Sequence, residues 1–547
     1  MDLLIVAVAG LLAIAAAATI APRIRVAAPL ILVLVGIGVS FLPFVPAFEV
    51  DPEWVIAGIL PPLLYSASAS MPAMDFRREL TAIGGLSVVL VVLSSVIVGI
   101  FFAWVIPGLG LWWGIALGAV VSPTDAVATS IVRRVGVSGR TVSVLEGESL
   151  LNDATALVLL RTAIAGTAAS VSLWSVLGRF VFAVVIAVAL GILVGHLNLW
   201  LRSKVTDPTV NTVVSFTVPF LASVPAELLG ASGLVAAVVA GLVTGHGAAR
   251  RLSPRHRLSD SENWRMVELV LEGTIFLLMG LQLDGIVVEV QAEHAGIGTA
   301  AVIAAGALLL TILVRAGYIA PLLAGLHRRT RRGERMKPTL DVMQRRLDTS
   351  PPPSVPLRPA SPIRISPERI DRLRARTRRV RADIDYLLAS PLGWREGGVL
   401  VWAGMRGAIT LAAAQTLPAD APNRPLLILI AFTVAAASLI VQGSTLASFV
   451  RWIRPATRDE ATAVEERRQV LALLDRVARE VVEHPAAASS SSAASKRLAL
   501  TIIEAQRSAL LDARDDGVYS SEILNSALTN LDADQISLEL KDAPPEL

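Results

Sequence analysis

The chain has no cysteine among its 547 residues, so it has no disulfide framework and its redox compartment cannot be read from thiols. Charge is scarce. Asp, Glu, Lys and Arg make up 17% of the residues, against about 25% in ordinary soluble domains. A basic n-region is missing too: the chain opens Met1-Asp2, so its first apolar run reads as a spanning helix and not as a cleaved signal peptide. What fills the space is hydrophobicity, at 54% of residues and a mean hydropathy of +0.63. Many apolar runs reach the roughly 20 residues that cross a bilayer. The composition therefore describes a polytopic, all-helical membrane protein. The formal charge of +4 says little; its distribution says more.

Thirteen spans are expected, near 3–21, 26–44, 54–70, 82–106, 112–133, 141–166, 174–201, 209–227, 231–246, 266–284, 298–326, 395–418 and 424–448. Loop charge tests that count, because Lys and Arg collect in short cytoplasmic loops. Arg23 and Arg25, Arg77 and Arg78, Arg133, Arg134 and Arg140, Arg202 and Lys204, and Arg250 to Arg257 follow every second span. The intervening loops carry Glu49, Asp51 and Glu53, or Glu289 and Glu293, or almost no charge. This alternation places the N-terminus outside and the C-terminus in the cytoplasm. The Arg-rich loop 327–394, with a Pro-rich centre at Ser350–Pro367, reads as a cytoplasmic insert with a basic helix near Arg369–Leu388. Contact with anionic lipid explains its charge more simply than nucleic acid does. Residues 1–450 thus form a membrane domain. Residues 451–547 form a cytoplasmic helical tail: a charged helix at 456–484, an Ala/Ser linker at Pro485–Ser495, and amphipathic helix at 496–540 with Leu498, Ile502, Leu510, Leu511, Leu524 and Leu528 on its apolar face. That tail carries no nucleotide loop, metal cluster or catalytic triad.

Carboxylates inside spans are costly and mark function. Asp125, Glu146, Glu148 and Asp153 fall in two consecutive spans. In the first, Pro123 lacks a backbone N–H and pushes Ser122 out of helical geometry, so the helix breaks in mid-membrane. A new helix is expected with Ser122 as cap, Pro123 at its first position and Asp125 three residues after the cap. Such breaks occur only within protein or against a water-filled cavity, and they build ion sites in secondary transporters. In the second span, Glu148 and Asn152 share one helix face, and Ser149 and Asp153 the next. A carboxylate such as Asp153, shielded from water, holds a proton or a cation, and the competition between them is the core of an exchanger. Glu148 needs a cationic partner, and Arg406 in Gly404-Met405-Arg406-Gly407 is the candidate, with Gly404 and Gly407 letting the backbone open. Glu146 suits pairing with a basic group, and Arg161 is left unassigned.

Ser122-Pro123-Thr124-Asp125, Glu148-Ser149-Leu150-Leu151-Asn152-Asp153-Ala154 and Gly404-Met405-Arg406-Gly407, in that order, resemble the monovalent cation/proton antiporter family. The closest branch holds the bacterial NhaP-like sodium/proton antiporters and the eukaryotic sodium/proton exchangers. The resemblance covers about residues 1–450. It implies thirteen helices in inverted repeats, with a six-helix core domain moving against a dimerisation domain, and hence a homodimer. It implies Asp153 as the ion- and proton-binding aspartate, Asn152 as its neutral neighbour and Asp125 as a polar partner, so these two aspartates would hold the transient monovalent cation. Thr124 and Ser149 would assist, and Glu148 and Arg406 would form the buried ion pair. One departure stands out. Many members carry an acidic residue after Leu-Pro-Pro-Leu-Leu, where this chain has Tyr65 and Ser66 after Leu60-Pro61-Pro62-Leu63-Leu64.

The expected activity is exchange of Na+ for H+ across the cytoplasmic membrane, electroneutral, in pH and sodium homeostasis, with K+ or Li+ as alternatives. No cofactor, no enzymatic reaction and no nucleic-acid partner are expected; the bilayer is the chain's partner. A gated cation channel with the same carboxylates is the rival from another class, but no carbonyl filter is visible. A membrane-anchored sensor is the third.

Overall fold

A computed structural model describes residues 2–24, 26–42, 51–168, 173–292, 296–349, 367–456, 460–483 and 492–540. Glu49, Glu293, the Pro-rich centre of the insert and most of the Ala/Ser linker lie outside the described residues. The described chain is helical and contains no β-sheet. In order, its helices are α1 (Asp2–Ile24), α2 (Ala28–Ser40), α3 (Leu60–Ser70), α4 (Ala73–Gly84), α5 (Val91–Val105), α6 (Leu111–Val121), α7 (Val127–Val135), α8 (Gly139–Ala168), α9 (Leu173–Arg202), α10 (Pro208–Leu228) and α11 (Gly233–Arg251). There follow α12 (Pro254–Leu281), α13 (Leu283–Ala292), α14 (Ile297–Thr349), α15 (Pro367–Ala389), α16 (Trp394–Trp402), α17 (Ala408–Gln415), α18 (Arg424–Ile453), α19 (Glu460–Val482), α20 (Ser492–Asp516) and α21 (Ser521–Leu540). A π-helical turn leads into α3 and another joins α4 to α5.

Each of the thirteen expected spans coincides with helix over most of its described length, residues 43–44 of the second lying outside the described residues. By length and composition eight helical stretches can cross a membrane, and α2, Trp54–Ser70 and α6 are shorter apolar helices. The two spans outside both groups are α8 and the broken pair α16/α17, which carry the buried polar groups described below. Large apolar side chains face outward along the membrane helices, as at Leu4, Val185, Leu193 and Leu309. In a bilayer that exposure is solvation by lipid. The chain is a multi-pass membrane protein.

The chain divides into two compact units: Met1–Leu322 with Trp394–Thr457, and Leu323–Gly393 with Arg458–Leu547. In the second unit, Lys337 pairs with Asp385 at 2.6 Å and Arg381 with Asp341 at 3.2 Å, so the end of α14 lies along α15. Leu510, Leu511, Leu524 and Leu528 are buried between α19, α20 and α21. The helix expected over 496–540 is split at Gly517, whose positive φ of 72° ends α20.

In the first unit two helices break and their breaks meet. α6 ends at Val121 and α7 begins at Val127, leaving 122–126 non-helical. α16 ends at Trp402 and α17 begins at Ala408. The two loose segments bond to each other: Asp125 N–H donates to Met405 O at 2.7 Å. The new helix therefore starts later than the sequence suggests. Ser122 does not cap it; its hydroxyl donates to Val91 O at 3.2 Å and meets Ser94. Asp125 plays the local part instead, accepting from Val127 N–H at 2.9 Å. Gly407 sits so close to Asp125 that an added Cβ would overlap the carboxylate.

Two buried arginines hold these breaks, and they correct one expectation. Glu148 does not pair with Arg406. Arg315 of α14 grips it with both ends of its fork, Nη2 reaching Oε2 at 2.8 Å and Nη1 contacting Oε1. Arg315 Nε also donates to Leu400 O at 2.7 Å, near the end of α16. Arg406 donates from Nε to Val121 O at 3.0 Å, the last carbonyl of α6, and from Nη1 to Gly404 O. The physical reason is local. Arg406 lies in the break itself, beside carbonyls that have lost their helical partners and carry the negative end of the helix dipole. Arg315 stands on an unbroken helix and can present its planar fork to a carboxylate.

Breaking one partner of a buried pair costs about 3–5 kcal/mol. Arg315→Met should therefore lose most folded protein on mild heating, followed by size-exclusion of detergent extracts. Glu148→Gln combined with Arg315→Met should recover part of the loss. An Arg315→Met protein as heat-resistant as its parent would refute the pairing.

Candidate ion-binding site

The site grows from a relay of hydrogen bonds that starts at Arg315. With Glu148 neutralised, Thr124 Oγ1 donates to Glu148 Oε1 at 3.0 Å. Asn152 Nδ2 donates in turn to Thr124 Oγ1 at 2.8 Å and to Thr124 O at 3.0 Å. Glu148 and Asn152, one turn apart on α8, thus both clasp the α6/α7 break. Asn152 is left with its Oδ1 buried and without a hydrogen-bond partner. A buried acceptor in that state is costly unless something positive visits it.

Asp153 follows directly. It is only 5% exposed, and among the described residues it forms no hydrogen bond or ion pair. Asp125 stands within electrostatic range of it. Two carboxylates and an orphan amide oxygen therefore lie at the break, beside a Glu148 whose charge Arg315 balances. Oxygen donors of this kind suit hard monovalent cations and protons. Among the described residues no cluster of three His, Cys, Asp or Glu suited to a resident metal is present.

The remaining residues singled out in the sequence are placed as follows. Ser149 is buried, but its hydroxyl donates to Glu146 O of its own helix at 3.0 Å. Glu146 pairs with Arg133 of α7. Arg161 is 57% exposed and pairs with Glu227 at 2.7 Å, so its partner is a neighbouring helix and not the site. Pro123 is buried within the break, and an added Cβ at Gly404 would meet the Arg315 side chain.

Sequence reasoning overlooked three charged groups. Arg315 is the only charge in the apolar stretch 298–326, and the rule that exposed Asp153 would have exposed it as well. Glu268 and Glu272 are one turn apart on α12, partly buried, and neither is in an ion pair among the described residues. The Ser66 hydroxyl faces Glu268 as a donor, and Glu272 lies within electrostatic range of Asp125. One carboxylate, Glu268, thus stands beside the position where α3 offers only a serine.

Comparison with known proteins places the chain in a family. The model of the transmembrane sodium/hydrogen exchanger family matches residues 10–337 and 379–452. An uncharacterized Na+/H+ exchanger of Mycobacterium tuberculosis is 30% identical over 465 residues, 82% of this chain and 74% of its own length. The Na+/H+ antiporter ApNhaP of Aphanothece halophytica is 25% identical across 77% of this chain and 68% of its own. The solved sodium proton antiporter MjNhaP1 of Methanocaldococcus jannaschii shares the fold over 82% of this chain and 98% of its own, with a TM-score of 0.55 at 16% identity. The family match spans both broken helices, the acidic helix between them and the arginine that neutralises it, and this chain belongs to the sodium/hydrogen exchanger family.

Proposed function

We propose that the chain exchanges a monovalent cation, Na+ foremost, for H+ across the cell membrane, one for one, at Asp153. The observation that carries this reading is the unpaired, nearly inaccessible Asp153 carboxylate beside a fully compensated Glu148. A carboxylate at that depth needs a positive partner, and among the described residues no fixed one pairs with it. A proton and a cation compete for it, and each departure leaves the site open to the other. Asn152 Oδ1 and Asp125 supply the remaining oxygens; Thr124, whose hydroxyl is engaged on both sides, orients Asn152 and holds the break.

The same reading takes the N-terminus as outside, the insert and tail as cytoplasmic and the working form as a homodimer. Arginines on alternate loops support that orientation, although Arg78, Arg140 and Arg202 are buried, Arg140 bonding to Glu79 at 2.7 Å. The role that follows is sodium and pH homeostasis.

Four outcomes are expected. In proteoliposomes reporting internal pH with a dye, Na+, K+ and Li+ are offered in turn. The parent should move protons, with its apparent cation KM rising as pH is lowered, because protons occupy the shared carboxylate. Asp153→Asn keeps the shape and removes the charge, so it should fold and exchange nothing. Residual exchange would shift the carrier to Asp125.

Because Asn152 is neutral, a single carboxylate carries and no net charge crosses per cycle. Fluxes measured at zero and at −100 mV should be equal. Movement of a net charge would bias the cycle by about 2.3 kcal/mol at that voltage and separate the two rates.

Glu272→Gln should raise the apparent cation KM several-fold and leave the maximal rate close to that of the parent, since it removes attraction near Asp125 and not the carrier. An unchanged KM would remove α12 from the site.

A further inference from the structure

A second feature of the membrane unit lies away from the ion site. Where the start of α16 meets the end of α18, a cavity of about 490 Å³ opens, lined by Trp394, Arg395, Arg451, Trp452, Ile453 and Arg454. That size falls within the range of small-ligand pockets, ~300–1,000 Å³.

Its charge is one-sided. Among the described residues none of the three arginines forms an ion pair. Arg395 Nη1 donates to Arg454 O at 3.1 Å, and Arg451 Nη2 donates to Ser448 Oγ at 3.2 Å. The adjacent acid, Glu396, is buried and accepts from Ala456 N–H at 2.7 Å. The Arg454 backbone is left-handed, at a φ of +49°, where α18 ends. Most N–H donors of three guanidinium forks are therefore left to whatever enters.

Its walls are apolar and placed for lipid. Trp394 and Trp452 are 71% and 77% exposed. Arg395 lies 5.5 Å from the Trp394 ring centroid, and Trp452 continues a stack through Phe449 to Trp402. Exposed indoles at the end of a long apolar helix sit at the level of lipid headgroups. Arginine forks match the oxygens of a phosphate ester, and indole faces suit the glycerol and first methylenes beside it.

We propose that this cavity is a binding site for a phosphate ester, occupied by the headgroup of an anionic phospholipid. Full-length protein in mild detergent is titrated with phosphatidylglycerol, phosphatidylcholine or inorganic phosphate, and apparent affinity is read from the rise in unfolding temperature. Phosphatidylglycerol should protect, and phosphatidylcholine should not. The variant carrying Arg395→Gln, Arg451→Gln and Arg454→Gln should bind phosphatidylglycerol at least fivefold more weakly. A control carrying Arg467→Gln, Arg476→Gln and Arg479→Gln, which removes the same charge from exposed positions of α19, should stay within twofold of the parent. Equal weakening in both triple variants would reduce the effect to general charge and overturn the site. Equal protection by inorganic phosphate would overturn the lipid assignment. Should the cavity variant fail to fold, Arg451→Gln alone, expected to weaken binding about threefold, decides the matter in the same comparison.

Discussion

A helix that breaks inside a membrane leaves backbone carbonyls and amides with no water to turn to. This chain breaks two, at 122–126 and 403–407, and meets the demand by crossing one break over the other. The Asp125 amide takes the Met405 carbonyl, and Arg406 takes the carbonyls at the ends of α6 and in its own loop. Arg315 binds the end of α16 with one nitrogen and Glu148 with two others. Cations at the C-terminal ends of half-helices are also where the helix dipole favours them.

That arrangement settles the electrostatics of the site. Glu148 is balanced by Arg315, and Thr124 and Asn152 are tied to Glu148 by hydrogen bonds, so one acid of α8 becomes framework. Asp153 stays outside this account. Among the described residues neither a hydrogen bond nor an ion pair balances this buried carboxylate, and a second one, Asp125, stands within electrostatic range of it. The glycine at 407 completes the arrangement by making room for the Asp125 carboxylate.

Much of this was legible beforehand. Hydrophobic runs and Arg-bearing loops located the thirteen helical spans, because lipid demands long apolar helices and little else in the chain resembles them. Pro123 announced the first break, since proline removes a donor at a fixed position. Asp125, Asn152 and Asp153 stood out for the cost of polar groups at that depth. Gly517, inside what read as one amphipathic helix, was not recognised as a stop, because periodicity on both sides of it was intact.

What the sequence determined by itself was the class of protein and the broken helix, both of which depend on local chemistry and on the demands of lipid. What the tertiary structure decided was pairing. Glu148 had two cations within reach in principle, Arg406 and Arg315, separated from it by more than 160 residues of chain. Only the crossing of the two breaks, which turns Arg406 toward orphaned carbonyls and leaves Arg315 facing α8, assigns the carboxylate to one of them. Proximity across that distance is a property of packing, and no local pattern encodes it.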